Sequence, residues 1–361
     1  MKRGILLLLS LFLPLLADGK VPEDSLRVLF WNAENLFDPR DGGAGKADTE
    51  FSARGERHWT RKRFQAKCNT IAKTILWAAD EERCPPGDEK KADVPRRTSV
   101  PLLPDVIGLA EVENAFVLRQ LIQTTALRKL DYQVVHFESP DPRGIDVALL
   151  YRSSRLRLIN AKPCHLYNAD SSVMATRDIL LAQFIGPGGD LAVLVNHHPS
   201  KYGGTAVSEP RRKIAVLRLK QLADSLTAAG VSSVIAMGDF NDTPANPVYK
   251  LLEPTLQNYA EPLFRQGEGT IRYEGVWELI DMFFSLPGLQ ARMTILHPPF
   301  LETPDNTHGG TKPFRTYAGP RYLGGVSDHC PILLDYITPT DPSSPSAPQD
   351  DRKEKMTIFV N

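Results

Sequence analysis

Cysteine is scarce in this chain: four residues, Cys68, Cys84, Cys164 and Cys330, stand among 361. No pair has C-x-x-C spacing, which excludes a disulfide framework and argues against a cysteine zinc cluster at Cys330; a single disulfide stays compatible with an oxidising compartment. Net charge is also missing, since Lys plus Arg and Asp plus Glu both number 43. That weakens a chain-wide electrostatic grip on nucleic acid and leaves room only for a local basic groove. Neither G-x-S-x-G nor H-E-x-x-H occurs, so the corresponding serine-nucleophile and zinc-helix chemistries are out. No internal repeat of fixed period is found. Beyond the first residues no apolar run is long enough to span a bilayer, so no stable membrane insertion is expected, and no protein partner is evident.

What is present begins with the N-terminal MKRGILLLLSLFLPLLADG. Lys2 and Arg3, the apolar stretch from Ile5 to Leu16 and the small residues that follow have the layout of a secretory signal. The expected organisation is a signal over 1–19, one large domain over 20–336 and a tail over 337–361 whose Pro/Ser-rich part does not fold. The product would be exported, periplasmic or extracellular. A hydrophobic content of 42% over this length can bury a large core.

Compact apolar runs recur as SLRVLFW, PDVIGL, IDVALLY, DILLAQF, LAVLV, SSVIAM, LIDMFFSL and CPILLDY. Helical spacing joins Phe64, Cys68, Ile71 and Ile75 behind a cap at Thr60, and recurs over Glu113 to Lys129 and Ser208 to Leu226. The basic start of the first helix, Arg61, Lys62, Arg63 and Lys67, reads as a solvated face, with a phosphate-backbone contact as the alternative. Cys84 to Pro104 reads as an inserted loop, and MTIFVN at the end as an extra edge strand. Strands and helices mixed in this way, with several direct strand-to-strand joins, predict a layered α/β sandwich.

The informative polar residues fall at strand ends. Asn32 and Glu34 follow the first run, Glu111 follows VIGLA, His197 and His198 follow LAVLV, and Asp239 and Asn241 follow VIAMG. Asp281 sits inside LIDMFF, while Asp328 and His329 precede the last run. Any one alone reads as a turn residue or cap, but ligands of α/β folds gather at strand ends, so together they point to one pocket. Several carboxylates without a cysteine cluster suit a hard, oxygen-liganded cation, Mg²⁺ or Mn²⁺. Asparagine and histidine suit phosphate oxygens that gain charge as a nucleophile adds.

VLFWNAENLFD, DVIGLAEVEN, NHHPS, MGDFNDTP, LIDMFF and GVSDHCPI together resemble the endonuclease/exonuclease/phosphatase superfamily, the deoxyribonuclease-I-like fold, with the match running from Leu26 to Tyr336 and the leader marking an exported, bacterial-type member. The resemblance implies a four-layer αββα sandwich of two mixed β-sheets flanked by helices, with the site where the two sheets face each other. It implies that Glu111 is the principal metal carboxylate, helped by Asn32 and Asp328. Glu34 departs from the shorter residue of many relatives, which puts its metal contact in doubt. By the same resemblance Asp239 orients or deprotonates the attacking water and Asn241 binds a phosphate oxygen. His197 belongs to the phosphate site, with His198 on the opposite strand face, and Asp281 fixes the imidazole of His329. His329 then acts as general acid/base or as a stabiliser of the transition state, and Cys330 reads as the first buried residue of the last strand.

Around this set, Arg315, Arg321 and Tyr317 in KPFRTYAGPRYLGG, with Arg143 and Arg177, are candidates for gripping phosphate or stacking on a base or sugar. For Arg143 and Arg177 the duller alternative is ion pairing to Asp146 or Asp178. The expected activity is metal-dependent hydrolysis of a phosphoester by activated water, with a phosphodiester in DNA or RNA as the leading substrate. A phosphomonoesterase or small-molecule or lipid phosphodiesterase is the alternative, and an inactive binding module the third.

Overall fold

The computed structural model describes residues 25–40, 49–79, 103–201 and 204–337. The expected signal, nearly all of the expected Cys84 to Pro104 loop, Cys84 itself, the Pro/Ser-rich segment and MTIFVN lie outside the described residues. Cys68, Cys164 and Cys330 are buried and free of disulfides.

Two six-stranded mixed sheets form the body. In chain order the strands are β1 (Ser25–Leu36), β2 (Val106–Val112), β3 (Tyr132–His136), β4 (Asp146–Arg152), β5 (Arg157–Cys164), β6 (Ile179–Gly186), β7 (Gly189–His197), β8 (Ser233–Asp239) and β9 (Gln257–Asn258). The hairpin β10 (Ile271–Tyr273) and β11 (Val276–Glu278), β12 (Asp281–Ser285) and β13 (Gln290–Ile295) come next. The short pairs β14 (Glu302–Pro304) with β15 (Thr311–Pro313), and β16 (Tyr317–Ala318) with β17 (Arg321–Tyr322), precede β18 (Ile332–Ile337). One sheet runs β13-β18-β1-β2-β4-β3 and the other β5-β6-β7-β8-β12-β9. β1 pairs parallel to β2 and antiparallel to β18, and β7 pairs parallel to β8.

The period of two in β1 explains why the sheets stack. Leu26, Val28 and Phe30 join the core between the sheets, while Leu29, Trp31 and Ala33 pack on the opposite face with the helices. Helix α1 (Arg61–Trp77) is capped by Thr60, whose side chain accepts from the Arg63 N–H, and buries Phe64, Cys68, Ile71 and Ile75. Helix α2 spans only Ala115–Gln123, shorter than expected. The Thr124 and Thr125 hydroxyls bond back to the Gln120 and Leu121 carbonyls, closing the helix, and Thr125 caps a separate 3₁₀ turn over Ala126–Lys129. Helix α3 (Thr205–Ala228) covers the second sheet through Ala215, Val216, Leu219 and Ala223, and a short helix, α4 (Glu261–Arg265), follows β9. Among the described residues no helix is long and apolar enough to cross a membrane.

The expected solvated face of α1 needs correcting at one position. Lys67 is 2% exposed, because its ammonium donates to the Glu34 carbonyl and, at 2.7 Å, to the Thr316 hydroxyl. It joins α1 to two strands' ends rather than facing water.

Candidate active site

The ends of β1, β2, β7 and β8 and the segment before β18 meet in one polar cavity of about 230 Å³. From the first sheet come Asn32, Glu34, Asn35 and Glu111, and from the second His197, Asp239 and Asn241. Ser200, Asp328 and His329 complete the wall, with Arg143 and Arg315 also on the lining.

Local backbone geometry aims these side chains. The β1–β2 register shifts between Asn32 and Leu36, and the β2–β4 register shifts between Ala110 and Val112. Each irregularity breaks the two-residue alternation that would otherwise bury the intervening side chain in a sheet face. Glu34, Asn35, Glu111 and Asn241 all have positive φ, 45°, 55°, 59° and 53°. Non-glycine residues in this region cost about 1 kcal/mol or more each, and such strain gathers where a site requires it. Gly238 answers a different need: a Cβ there would sit 2.3 Å from the Asn196 carbonyl oxygen, so only glycine lets β8 lie this close to β7 one residue before Asp239.

His329 is held from every side. Its Nδ1 lies 2.8 Å from Asp281 Oδ2, its carbonyl accepts from Trp31 Nε1 at 2.8 Å, and its N–H donates to the Ser327 hydroxyl at 3.0 Å. Asp281 is 1% exposed and His329 8%. With Nδ1 committed, Nε2 faces the cavity, 3.8 Å from Asp239 and 4.0 Å from Asp328. Burial alone would lower the imidazole, but Asp281, Asp239 and Asp328 overcome it and raise His329 well above the ordinary range.

Asp239 is anchored at both oxygens, by the Asn241 main-chain N–H at 2.9 Å and the Asn32 amide at 3.0 Å. Burial, reinforced by Asp281 and opposed by His329, pushes its carboxyl up to about 7. The Asn241 amide donates to the His198 carbonyl. His197 Nε2 stands 3.6 Å from Asp239, and burial with the Arg177 and Arg143 charges holds its imidazole well below the usual range, hence neutral. His198 occupies the other strand face, edge to face with Phe240 at a ring-centroid separation of 4.7 Å.

On the opposite wall Glu111 accepts from the Asn35 N–H at 2.9 Å and lies 3.9 Å from Arg143. Glu34 accepts from the Thr316 N–H at 2.8 Å. Arg315 reaches Glu34 at 3.4 Å and Asp328 at 2.9 Å. Burial and the Asp328 charge push the Glu34 carboxyl up to about 7 despite Lys67 and Arg315 nearby. This surplus of carboxylate charge, with oxygen donors from Glu111, Asn32, Asp328 and Glu34 and no sulfur, fits a hard divalent cation.

Three candidates are not where a substrate would meet them. Tyr317 is 6% exposed, packed against Phe51, Trp59 and Tyr322 with its hydroxyl on the Arg57 carbonyl, so its ring is committed to the core. Arg177 is buried, paired at 3.0 Å with Asp141, neither Asp146 nor Asp178, and it also donates to the His198 carbonyl. It buttresses the β7 end from behind. Arg321 is exposed in the β16–β17 hairpin and does not line the cavity. Cys330 precedes β18 by two residues, with Pro331 between. Sequence reasoning assigned no role to Asn35, Ser200, Thr316 and Ser327, although all four lie inside the motifs VLFWNAENLFD, NHHPS, KPFRTYAGPRYLGG and GVSDHCPI, and it placed Lys67 on the solvated start of the first helix.

The family model described as Endonuclease/Exonuclease/phosphatase family matches residues 27–337. No curated protein matches the chain in sequence. Among solved structures, a humanized D. rerio TDP2 superposes with TM-score 0.53 at 16% identity, covering 87% of this chain and 100% of its own. The human Nocturnin catalytic domain with bound sulfate gives 0.52 at 17%, covering 87% and 94%. A Bacteroides thetaiotaomicron mannosyl-6-phosphatase gives 0.52 at 13%, covering 86% and 99%. These likenesses are of fold.

Proposed function

The chain belongs to the endonuclease/exonuclease/phosphatase family, a family of phosphoesterases, and from that premise we propose that it hydrolyses phosphodiesters by attack of an activated water, with Mg²⁺ or Mn²⁺. The observation that carries the reading is the meeting, in one polar cavity, of Glu111, Asp239, Asn241 and an Asp281-anchored His329.

Glu111, with Asn32 and Asp328, would hold the cation, and Glu34 would tune the local charge. When bound, the divalent ion would offset negative charge on the phosphoryl oxygens. The chain's own groups then divide the work. Asp239, fixed at both oxygens and with a carboxyl near 7, takes the proton of the attacking water. His329, cationic and aimed through Nε2, faces the phosphoryl group and stabilises its developing charge, while Asp281 sets the tautomer. Neutral His197 and the Asn241 amide donate N–H groups to phosphoryl oxygens. Arg143 and Arg315 flank the cavity as anion contacts.

A phosphomonoester remains the second reading, favoured by one observation. With Tyr317 buried, the cavity lining holds no Phe, Tyr or Trp ring on which a base would stack. A panel of plasmid DNA, RNA, bis-p-nitrophenyl phosphate and p-nitrophenyl phosphate, each with Mg²⁺, Mn²⁺ or EDTA, separates the readings. Cleavage of the diester and nucleic acids supports the first, cleavage of the monoester alone the second, and full activity in EDTA removes both. We also infer export after removal of 1–19, leaving the domain over 20–336 and a Pro/Ser-rich tail; N-terminal sequencing of protein recovered outside the cytoplasm tests it.

A further inference from the structure

A second set of donor atoms converges away from the cavity. His297, after β13, Glu302, the first residue of β14, and Cys330, between His329 and β18, place an imidazole nitrogen, a carboxylate oxygen and a sulfur within 4.8 Å of one another. None of the three lines the cavity. His297 Nδ1 is 2.8 Å from Glu302 Oε1 and 3.7 Å from Cys330 Sγ. Backbone pairing ties the His297 and Cys330 segments together, the Leu296 N–H donating to the Pro331 carbonyl at 2.8 Å, while the Cys330 N–H is anchored on the Thr270 carbonyl at 2.7 Å. Trp277 meets the His297 ring edge-on at 5.5 Å, which limits its rotation. The sulfur is buried in a residue only 3% exposed, whereas the His297 side chain is 35% exposed, so water has access to the cluster.

We propose that Cys330, His297 and Glu302 form a second metal site, selective for Zn²⁺ and distinct from the hard-cation cavity. Tetrahedral zinc with Zn–S near 2.3 Å and Zn–N near 2.0 Å sets sulfur and nitrogen about 3.5 Å apart, and the chain already holds them at 3.7 Å. The imidazole–carboxylate contact of 2.8 Å opens to about 3.4 Å once a cation replaces the proton between them. Binding forms one Zn–S, one Zn–N and one Zn–O bond; the thiol proton leaves to solvent, the imidazole proton moves to Nε2, and water takes the fourth position. Thiolate and imidazole favour Zn²⁺ over Mg²⁺, so two kinds of metal sort to two sites. Because Cys330 directly follows His329, the ion ties the segment carrying that imidazole to the β13–β14 connection. The competing description is an ordinary His297–Glu302 ion pair with a buried thiol beside it. Among the described residues, the other donor group outside the cavity, His136 with Glu138 and Asp146, has no sulfur and leaves the Glu138 side chain 73% exposed.

The test uses the full chain, stripped of metal and then titrated with Co²⁺ as a spectroscopic stand-in for Zn²⁺, in excess Mg²⁺. A thiolate-to-cobalt charge-transfer band should saturate at one equivalent. It should vanish in Cys330→Ser, need at least about tenfold more Co²⁺ in His297→Ala and Glu302→Gln, and persist in Glu111→Ala. Elemental analysis after Zn²⁺ loading and dialysis should find one equivalent more in the wild type than in Cys330→Ser. No sulfur band in the wild type, or a band with unchanged affinity in His297→Ala and Glu302→Gln, overturns the proposal. If Cys330→Ser does not fold, the two rim variants decide the matter. Retention of the band in Glu111→Ala separates this site's fate from that of the phosphoester reading.

Discussion

Replacing Asp281 by Asn tests the catalytic arrangement at its least exposed point. The side chain keeps its shape, but the 2.8 Å contact to His329 Nδ1 loses the anion that most strongly holds the imidazole in its charged form. Burial, which works against that charge, then prevails, and His329 moves downward toward neutrality. A hydrogen bond to a charged group contributes about 1.5 to 3 kcal/mol. If that stabilisation is expressed in the transition state, kcat/KM on bis-p-nitrophenyl phosphate falls roughly 10- to 150-fold. KM should change little, since Asp281 does not line the cavity. The assay pairs steady-state kinetics across pH with an NMR titration of the histidine ring protons, with His329→Ala identifying the resonance. An Asp281→Asn enzyme with a wild-type rate and an unmoved His329 titration would refute the reasoning. A lost rate with an unmoved titration would refute the electrostatic part alone.

Further outcomes follow from the other walls of the cavity. Glu111→Ala should lower kcat/KM by about 10³ or more, as expected when several kcal/mol of cation-dependent stabilisation is removed, and added Mn²⁺ should not restore it. Because Asp239 must be ionised to accept a proton and sits at about 7, the metal-poor rate should fall tenfold per pH unit below that value. Saturating Mg²⁺ should shift this limb to lower pH, and Asp239→Asn should abolish activity rather than move the limb. In the metal-free protein, Glu34 and Asp239 at about 7, against ordinary values of 4.5 and 3.8, keep protons that the unfolded chain has released. Stability from this source is therefore full below about pH 4 and is lost as pH rises through about 7. Melting in EDTA should occur at lower temperature at pH 8 than at pH 5.5, and Mg²⁺ should raise the melting point more at pH 8. Lys67→Met should destabilise by about 2 to 4 kcal/mol in urea, because the Glu34 carbonyl and Thr316 hydroxyl lose a buried donor.

Local sequence determined a large part of the architecture. Runs such as LAVLV and SSVIAM became β7 and β8 because strands buried on both faces read as continuous apolar stretches, and Thr60 announced the start of α1 through its capping chemistry. The half-exposed β3, β5 and β13 escaped notice because strands with one wet face carry a weaker apolar signal. Polar residues at strand ends were legible as a set for the same physical reason: a carboxylate or imidazole next to a buried strand is expensive unless it has a purpose. Only the tertiary structure decided which of them meet. The bulges that redirect Glu34 and Glu111, the burial that committed Tyr317 and Arg177 to the interior, and the retreat of Lys67 behind Glu34 all depend on contacts between segments far apart in sequence. Spacing argued against metal at Cys330, whereas folding set His297 and Glu302 beside it, because proximity across a sheet edge is a property of strand register and leaves no local pattern to read.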